Sequence, residues 1–269
     1  MKFLLDAFQF HRLPVAARPD FARVVVPRLA RACHDAGVRP MVSTDLTDFW
    51  RICKGDPGRA VASQFVDPAL DPEHGPADTA FIVLWRDGLP VASAGARLRW
   101  VPGTLAEAIV DGSLLYPRGT PKGWRAECVA SQARAIAGTW VAVYTGYWRA
   151  RSEDPRDPVP MHLAVRLLHA ITLGAWGYSH AVAFCEDGVA RSAAHAVWLA
   201  EFHQPGVAWD IQGEAYRLNL VVTGRDALIT KMLDPRAVDP TALLHLPAAQ
   251  RAPASIPERR SDHGANEAR

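Results

Sequence analysis

The sequence predicts an α/β protein with a mixed β-sheet, helices on both faces of that sheet, and a helical N-terminal extension. From residue 80 onwards, β-rich apolar runs alternate with helical segments, and such strand–helix–strand units join parallel strands by right-handed crossovers. Turn signals at both ends of this region, Asp87-Gly88 and Gln212-Gly213, predict hairpins and therefore antiparallel edges. A hydrophobic content of 49% with 22% charged residues is sufficient to build a core.

Residues 1–77 are predicted to form a mainly helical extension packed on the core. Leu29 and Cys33 recur at helical spacing after a Pro-Asp start, and Gly37 is a suitable helix stop. Pro27 lies inside this pattern and predicts a kink or a late helix start. The run TDLTDFWRICK predicts a second helix, which ends in a Gly-Asp-Pro-Gly turn.

Residues 78–233 are predicted to form the main domain. Its predicted elements are, in chain order, the strands FIVLW and VASAGARLRW, the short helix TLAEAIV, the strand TWVAVYTGYW, the helix HLAVRLLHAITLGAW, the strand SHAVAFC, the helix EDGVARSAAHAVWLAEFH, and the strands GVAWDI and EAYRLNLVVTG. Arg97 and Arg99 alternate with apolar positions in the second strand, which predicts outward-pointing arginines on an amphipathic strand. Residues 234–269, rich in Pro, Ala and charge, are predicted to be a flexible tail.

Charge, apolar runs and cysteine spacing indicate which partners and which compartment the sequence favours. The net charge is +2, so the composition gives no electrostatic case for a nucleic-acid partner. No run reaches the ~18 apolar residues of a membrane span, and the N-terminus has no secretory pattern. Cys33, Cys53, Cys128 and Cys185 form no CxxC pair and no Cys/His metal spacing, which favours free thiols and no bound metal. These observations predict a cytoplasmic protein.

The order of elements between residues 78 and 226 carries a resemblance to a known family. It rests on the hairpin FIVLWRDGLPVASAGARLRW, the strand and helix TWVAVYTGYW and MHLAVRLLHAITLGAWGY, the segment SHAVAFCEDGVARSAAHAVWLAEF, and the closing pair AWDIQGEAYRLNLVVTGRDAL. This pattern resembles the Gcn5-related N-acetyltransferase (GNAT) superfamily. The resemblance implies an acyltransferase that moves an acyl group from an acyl-coenzyme A or acyl-carrier-protein thioester to the amine of a small molecule or peptide.

The resemblance also implies where the thioester donor lies. In the superfamily the third strand parts from its neighbour, and the pantetheine arm runs along the open edge. Val141 and Val143, in TWVAVYTGYW, are therefore the residues whose backbone groups would contact the pantetheine amides. The following loop of the superfamily, Gln/Arg-x-x-Gly-x-Gly/Ala, binds the pyrophosphate, whereas residues 149–162 contain no glycine. In lacking that loop, the chain resembles members that use acyl-carrier-protein donors.

Basic side chains are the candidates for holding a phosphate in place of the glycine loop. Arg149, Arg151 and Arg156 can each bind a phosphate through a guanidinium fork. His162 is a further candidate because it falls in the first turn of a helix, whose free N–H groups and dipole favour an anion. The alternative is a solvated loop in which these arginines pair with the carboxylates of the same segment.

Four residues are candidates for the chemistry itself. Glu127 resembles the superfamily's glutamate that activates the amine through water, as a general base must. Tyr144 and His195 are candidates for protonating the leaving thiolate. Cys185 ends a predicted strand, at the carboxyl edge of the sheet where ligands gather, and could act as a nucleophile or proton donor beside His180 or His195. The alternative for each of these residues is that it has no catalytic role and either packs in the core or lies at the surface.

Two other functions compete with acyl transfer. One is a non-catalytic GNAT-like protein that binds a ligand or partner, which the missing glycine loop favours. The other is a cysteine-dependent hydrolase that uses Cys185, although the chain has no GxSxG elbow and no Cys/His signature. The acyltransferase hypothesis depends on one structural expectation: residues 139–178 form a strand, a turn and a helix beside a gap in the sheet.

Overall fold

The computed structural model describes residues 7–54, 75, 77–150, 159–186, 199–211 and 214–238. The strands in these residues are β1 (Arg39–Ser43), β2 (Thr79–Arg86), β3 (Leu89–Thr104), β4 (Arg125–Cys128), β5 (Ala137–Arg149), β6 (His180–Cys185), β7 (Phe202–Ile211) and β8 (Glu214–Gly224). The helices are α1 (Val26–Asp35), α2 (Leu46–Lys54), α3 (Leu105–Val110), α4 (Ser131–Ala135), α5 (Val159–Ala175) and α6 (Arg225–Leu233).

The described strands form one mixed sheet in the order β1-β2-β3-β5-β6-β8-β7-β4. Strands β5 and β6 are parallel and are joined through α5, whereas the other neighbouring strands pair antiparallel. The Asp-Gly hairpin between β2 and β3 forms as predicted, with both turn residues at positive φ. Helices cover both faces of the sheet, which confirms the predicted mixed α/β fold class.

The face of the sheet that packs on α5, called here the α5 face, carries small side chains. Ala94 and Ala96 of β3, Ala142 of β5 and Ala183 of β6 are buried against this helix. Small residues allow α5 to lie close to the strands, and the helix is buried on nearly all sides because α1 covers its outer surface. Gly174 shows how tight this packing is, since an added Cβ would lie 2.7 Å from the Phe8 ring.

The opposite face, called here the α3 face, packs on α3 and α4. Val141, Val143 and Val182 of the sheet meet Leu105 and Ile109 of α3. The start of α3 is fixed by a capping box, in which Thr104 Oγ1 accepts from the amide of Glu107 and the Glu107 carboxylate accepts from the amide of Thr104.

The N-terminal region holds both helices and a strand. The chain is already helical before α1, over Arg18–Asp20 and a π-helical turn at Phe21–Val25, and Pro27 is the second residue of α1 directly after this irregular turn. Strand β1 pairs with β2 at the edge of the sheet and was not expected from the sequence. It is short and contains Pro40, which an edge strand tolerates. The domain boundaries at 77 and 234 stay predictions.

Two predicted segments, a helix and the C-terminal tail, are described by the structure only in part. The predicted helix EDGVARSAAHAVWLAEFH falls largely on residues 187–198, outside the described residues, and its final residues, from Phe202, belong instead to β7. Most of the predicted tail also lies outside them. No helix in the described ranges combines the length and apolarity that crossing a bilayer requires.

Candidate functional site

The sheet parts between β5 and β6. Their parallel ladder runs from Val141 opposite His180 to Tyr144 opposite Ala183, and it ends there although both strands continue. Beyond this point β5 stays paired with β3, and β6 stays paired with β8. Residues 145–149 of β5 and 184–185 of β6 therefore border a gap, which we call the wedge.

A β-bulge in β5 explains why the strands part here. Ser93 of β3 pairs with Trp148 and Gly95 pairs with Thr145, so one residue of β3 lies opposite Gly146 and Tyr147 of β5. An extra residue in one strand bends that strand and increases its twist. Glycine inside a strand is a common site for such a bulge. The bulge therefore turns β5 away from β6 at the point where their ladder stops.

The wedge offers polar groups to an extended ligand. No strand of the described residues pairs with the side of residues 145–149 that faces β6, so this edge can accept an added strand-like segment. Thr145 is only 8% exposed, yet its Oγ1 has no hydrogen-bond partner among the described residues. A buried hydroxyl without a partner costs about 1–3 kcal/mol, which a ligand can recover.

The start of α5 follows the wedge along the chain. Helix α5 begins at Val159, and Pro160 removes one of the N–H donors that a helix start normally offers. The side chain of His162 is buried. Arg149 ends β5 and is half-buried, while Arg151 and Arg156 lie outside the described residues. The described residues thus give this helix start the backbone of an anion site but little exposed positive charge.

The open edge of β5 does not begin at the valines predicted to contact the pantetheine amides. Val141 pairs with Arg99 and His180, and Val143 pairs with Arg97 and Val182. Both valines lie in the part of β5 that is paired on each side. The open edge begins two residues after Val143, at Thr145, because the bulge and not the sequence alternation decides where the ladder ends.

Tyr144 lies at the last paired position and faces α5 instead of the wedge. Its hydroxyl is 2.5 Å from Thr172 Oγ1, and its ring packs on His169 with a centroid distance of 4.7 Å. Burial, together with the neighbouring Tyr178, raises the pKa of Tyr144 well above its usual value. These contacts hold the hydroxyl in the core beneath α5.

Cys185 lies beside the wedge but lacks the surroundings of a nucleophile. It is buried, and desolvation raises the pKa of its thiol to about 12, so the thiolate is scarce at neutral pH. His180 occupies the other end of β6, roughly 17 Å away along the strand. His195 lies outside the described residues. The cysteine–histidine pair that a hydrolase needs is therefore not formed between Cys185 and His180.

Glu127 is not brought to the wedge. It is an exposed residue of β4, which is the far edge strand of the sheet. Strand β4 is three strands from β6, a distance of roughly 14 Å across the sheet. Its neighbours Ala126 and Cys128 point into the core of the α3 face, so the carboxylate projects from the opposite side.

Sequence reasoning was wrong about Arg97 and Arg99. Both are buried on the α3 face, at 3% and 7% exposure, and do not point to solvent. Desolvation, together with the neighbouring charge of Arg99, lowers the pKa of Arg97 to about 9. Arg99 lies 3.5 Å from the carboxylate of Asp78. The alternation of the two arginines was visible in the sequence, but the packing of helices onto this face of the sheet was not.

Comparisons with known proteins add little to this description. No protein-family model and no curated protein matches the sequence. Among solved structures, the chain is similar to an aminoglycoside N(6')-acetyltransferase from Legionella pneumophila subsp. pneumophila str. Philadelphia 1. The identity is 8% and the TM-score is 0.38, with 72% of this chain and 96% of that chain covered. A likeness at this level decides nothing about function, and the site rests on the geometry above. Within the described ranges, no group of three or more His, Cys, Asp or Glu gathers as a metal site.

Proposed function

We propose that the protein is an N-acyltransferase, which moves an acyl group from a coenzyme A or carrier-protein thioester to an amine. The observation that supports this is the wedge: a parallel strand pair that ends early, a bulge that bends β5, and a buried hydroxyl at the opening. A pantetheine arm is a narrow chain with two amides, which suits a gap bordered by an open strand edge.

The residues of the wedge fit the pantetheine arm better than they fit a pyrophosphate. Backbone groups of residues 145–149 would pair with the amides of the arm as a further strand does, and Thr145 Oγ1 would add a hydrogen bond. The start of α5 would face the phosphate end with few donors, since Pro160 has no N–H. This balance supports a carrier-protein donor as well as coenzyme A.

The reaction requires positioning more than an elaborate set of catalytic groups. The amine nitrogen forms a bond to the thioester carbonyl carbon, the carbon–sulfur bond breaks, and the proton released by the nitrogen ends on the sulfur. The products are an amide and a thiol. Holding the carbonyl between two parted strands reduces the entropic cost of the encounter and excludes water from the thioester. Glu127 and Tyr144 have no part in this proposal, since Glu127 lies on the far edge strand β4 and the Tyr144 hydroxyl bonds to Thr172.

Donor binding and turnover test the proposal separately. We expect acetyl-coenzyme A, octanoyl-coenzyme A or an acylated carrier protein to raise the melting temperature, because each would bind only the folded state. Thiol release in the presence of an amine would then establish transfer. Thr145→Val should weaken donor binding by about 2- to 15-fold, the value of one hydrogen bond. Thr139→Val is the matched control, since Thr139 is on the same strand at the end away from the wedge.

The outcomes separate the competing functions. Binding of a donor without release of thiol with any amine would favour a non-catalytic binding protein. Absence of binding by every donor would contradict the proposal outright. Equal weakening by Thr145→Val and Thr139→Val would show that the wedge is not where the donor lies.

A further inference from the structure

A groove runs between α1 and the edge strand β1. Its volume is about 910 Å³, within the range of ligand-binding clefts, and its lining is mainly apolar. The apolar lining includes Val38 and Pro40 near the start of β1, Met41 of β1 and Trp85 of β2. Met41 and Trp85 are only partly buried, so the groove presents apolar surface to a partner as well as to the core.

The groove lies at the end of the sheet where the wedge opens. Arg149, at the end of β5, pairs with Ala92 of β3. Ala92 pairs on its other side with Leu84 of β2, which pairs with Pro40 in the groove. This row crosses three strand spacings, so the groove begins roughly 14 Å from the open part of β5. Leu89, the first residue of β3, is 66% exposed at the same end and lies between the groove and the wedge.

The outer face of α1 beside the groove is basic. We call four exposed arginines the basic face, three on α1 and the helical turn before it and one at the start of β1: Arg23, Arg28, Arg31 and Arg39. Among the described residues, none of their side chains makes an ion pair or a hydrogen bond. Nearby acids are fewer, since Asp35 lies 3.3 Å from His34 and Asp87 lines the groove at the β2–β3 turn. The basic face therefore has positive charge that the described residues leave uncompensated.

The spacing of these charges fits a protein surface better than a small anion. Arg23 and Arg31 are eight residues apart, roughly 12 Å along the helix, and Arg39 extends the row to the groove. Guanidinium groups bind carboxylates through paired hydrogen bonds. An apolar centre beside a charged rim is the usual anatomy of a specific protein–protein interface. The complementary partner is a protein with carboxylates along one surface and an apolar side chain for the groove.

We propose that the thioester donor is presented by an acidic carrier protein, which docks on the basic face and the groove while its phosphopantetheine arm enters the wedge. This inference rests on the proposed acyltransferase function and chooses between its two donors. The amine nitrogen bonds to the thioester carbonyl carbon, and the bond from that carbon to the sulfur of the arm breaks. The proton from the nitrogen ends on the sulfur, so the carrier leaves with a free thiol.

The distances allow one carrier to occupy both places. A domain of about 100 residues has a radius of gyration of about 13 Å, so a carrier centred over the open end of the wedge covers a groove roughly 14 Å away. Coenzyme A brings further phosphates in place of a protein surface. The start of α5 gives those phosphates few donors, because Pro160 has no N–H and His162 is buried.

Matched donors that differ only in the carrier test the proposal. The octanoyl thioesters of an acyl-carrier protein and of coenzyme A would be titrated calorimetrically into the full-length protein at about 50 mM and about 300 mM salt. We expect the carrier thioester to bind about tenfold tighter or better at low salt, and this advantage to shrink at high salt because surface charges are screened. Equal or tighter binding of the coenzyme A thioester would overturn the proposal.

Charge reversals assign the docking to named residues. Arg31→Glu and Arg39→Glu should each weaken carrier binding about threefold to tenfold, and leave binding of octanoyl-coenzyme A within about twofold. Both positions are exposed, so the variants should fold, and Arg39→Lys should keep most of the affinity. Arg125→Glu, on the edge strand β4, is the matched control for a general charge effect. Equal losses for Arg39→Glu and Arg125→Glu would contradict the assignment.

Two further outcomes separate this inference from its rivals and from the function on which it rests. Carrier binding that the reversals weaken, with no transfer of the octanoyl group to any amine, would retain the docking surface and remove the acyltransferase. Transfer from coenzyme A thioesters with no preference for the carrier would retain the acyltransferase and remove the docking surface. Competition by a short single-stranded RNA as effective as the carrier would show that the arginines bind any polyanion, which would also overturn the proposal.

Discussion

The two faces of the sheet use buried polar groups in different ways. On the α5 face, Tyr144 and Thr172 bond to each other within a core that also buries Arg166 and two histidines of α5. On the α3 face, Thr145 has no partner among the described residues, and arginines divide the core into two clusters. Tyr144 and Thr145 are neighbours in sequence, so the contrast is one of environment. It indicates that the Tyr144 hydroxyl supports the fold, whereas the burial of the Thr145 hydroxyl is costly.

The largest expected effect is a loss of stability on the α5 face. Leu168 is fully buried in α5, so Leu168→Ala should lower the free energy of unfolding by about 2–5 kcal/mol through lost apolar burial and the cavity left behind. Urea denaturation measures this change. Leu89→Ala, at a position 66% exposed, should stay within about 0.5 kcal/mol and serves as the control. A small effect at Leu168 would show that α5 does not hold the core as described.

Removing one buried hydroxyl from each face should change the free energy of unfolding by a smaller amount and in opposite directions. Tyr144→Phe removes a hydroxyl that is bonded to Thr172, and should lower the free energy of unfolding by about 1–2 kcal/mol. Thr145→Val removes a buried hydroxyl that has no described partner, and should raise it by up to about 1 kcal/mol. The measurement is thermal or urea unfolding without ligand. A destabilising Thr145→Val would mean that the protein itself satisfies this hydroxyl, and the contrast between the faces would fail.

The smallest effect concerns thiol chemistry and leaves the fold unchanged. Burial raises the pKa values of Cys33 and Cys185 to about 12, so at pH 8 both should react with a disulfide reagent far more slowly than a free thiol. The rate at Cys185 should rise about tenfold per pH unit between pH 8 and 11, because the thiolate fraction rises by that factor below the pKa. Mass spectrometry of the labelled peptides measures each site. Fast labelling of Cys185 at pH 8 would revive a nucleophilic role.

The raised pKa values of these two thiols also determine how the free energy of unfolding changes with pH. A thiol whose folded pKa exceeds its unfolded value contributes stability that is present below the unfolded pKa and is lost as pH rises towards the folded pKa. Cys33 and Cys185 should therefore make the free energy of unfolding decline between about pH 9 and 12. Comparing the slope with that of Cys33→Ala isolates one thiol, and an unchanged slope would contradict its burial.

Parts of the fold were predictable because they depend on local signals. The Asp-Gly turn between β2 and β3, the helix that became α5 and the strand that became β5 were all evident from residues close in sequence. Strand β1 was missed because a five-residue edge strand that contains proline has no distinctive pattern. At the candidate site, the backbone contacts predicted at Val141 and Val143 stay a prediction, and both residues lie where β5 is paired on each side.

The sequence by itself determined which residues share a face of each strand, because side chains alternate with a period of two. It thus placed Arg97 and Arg99 together, and separated Tyr144 from Thr145. Only the tertiary structure decided that the face of the arginines is buried and that β5 parts from β6 after Tyr144. Alternation is the same for a covered face and an exposed one, whereas burial and strand parting depend on α2, α3 and the register between strands that are distant in sequence.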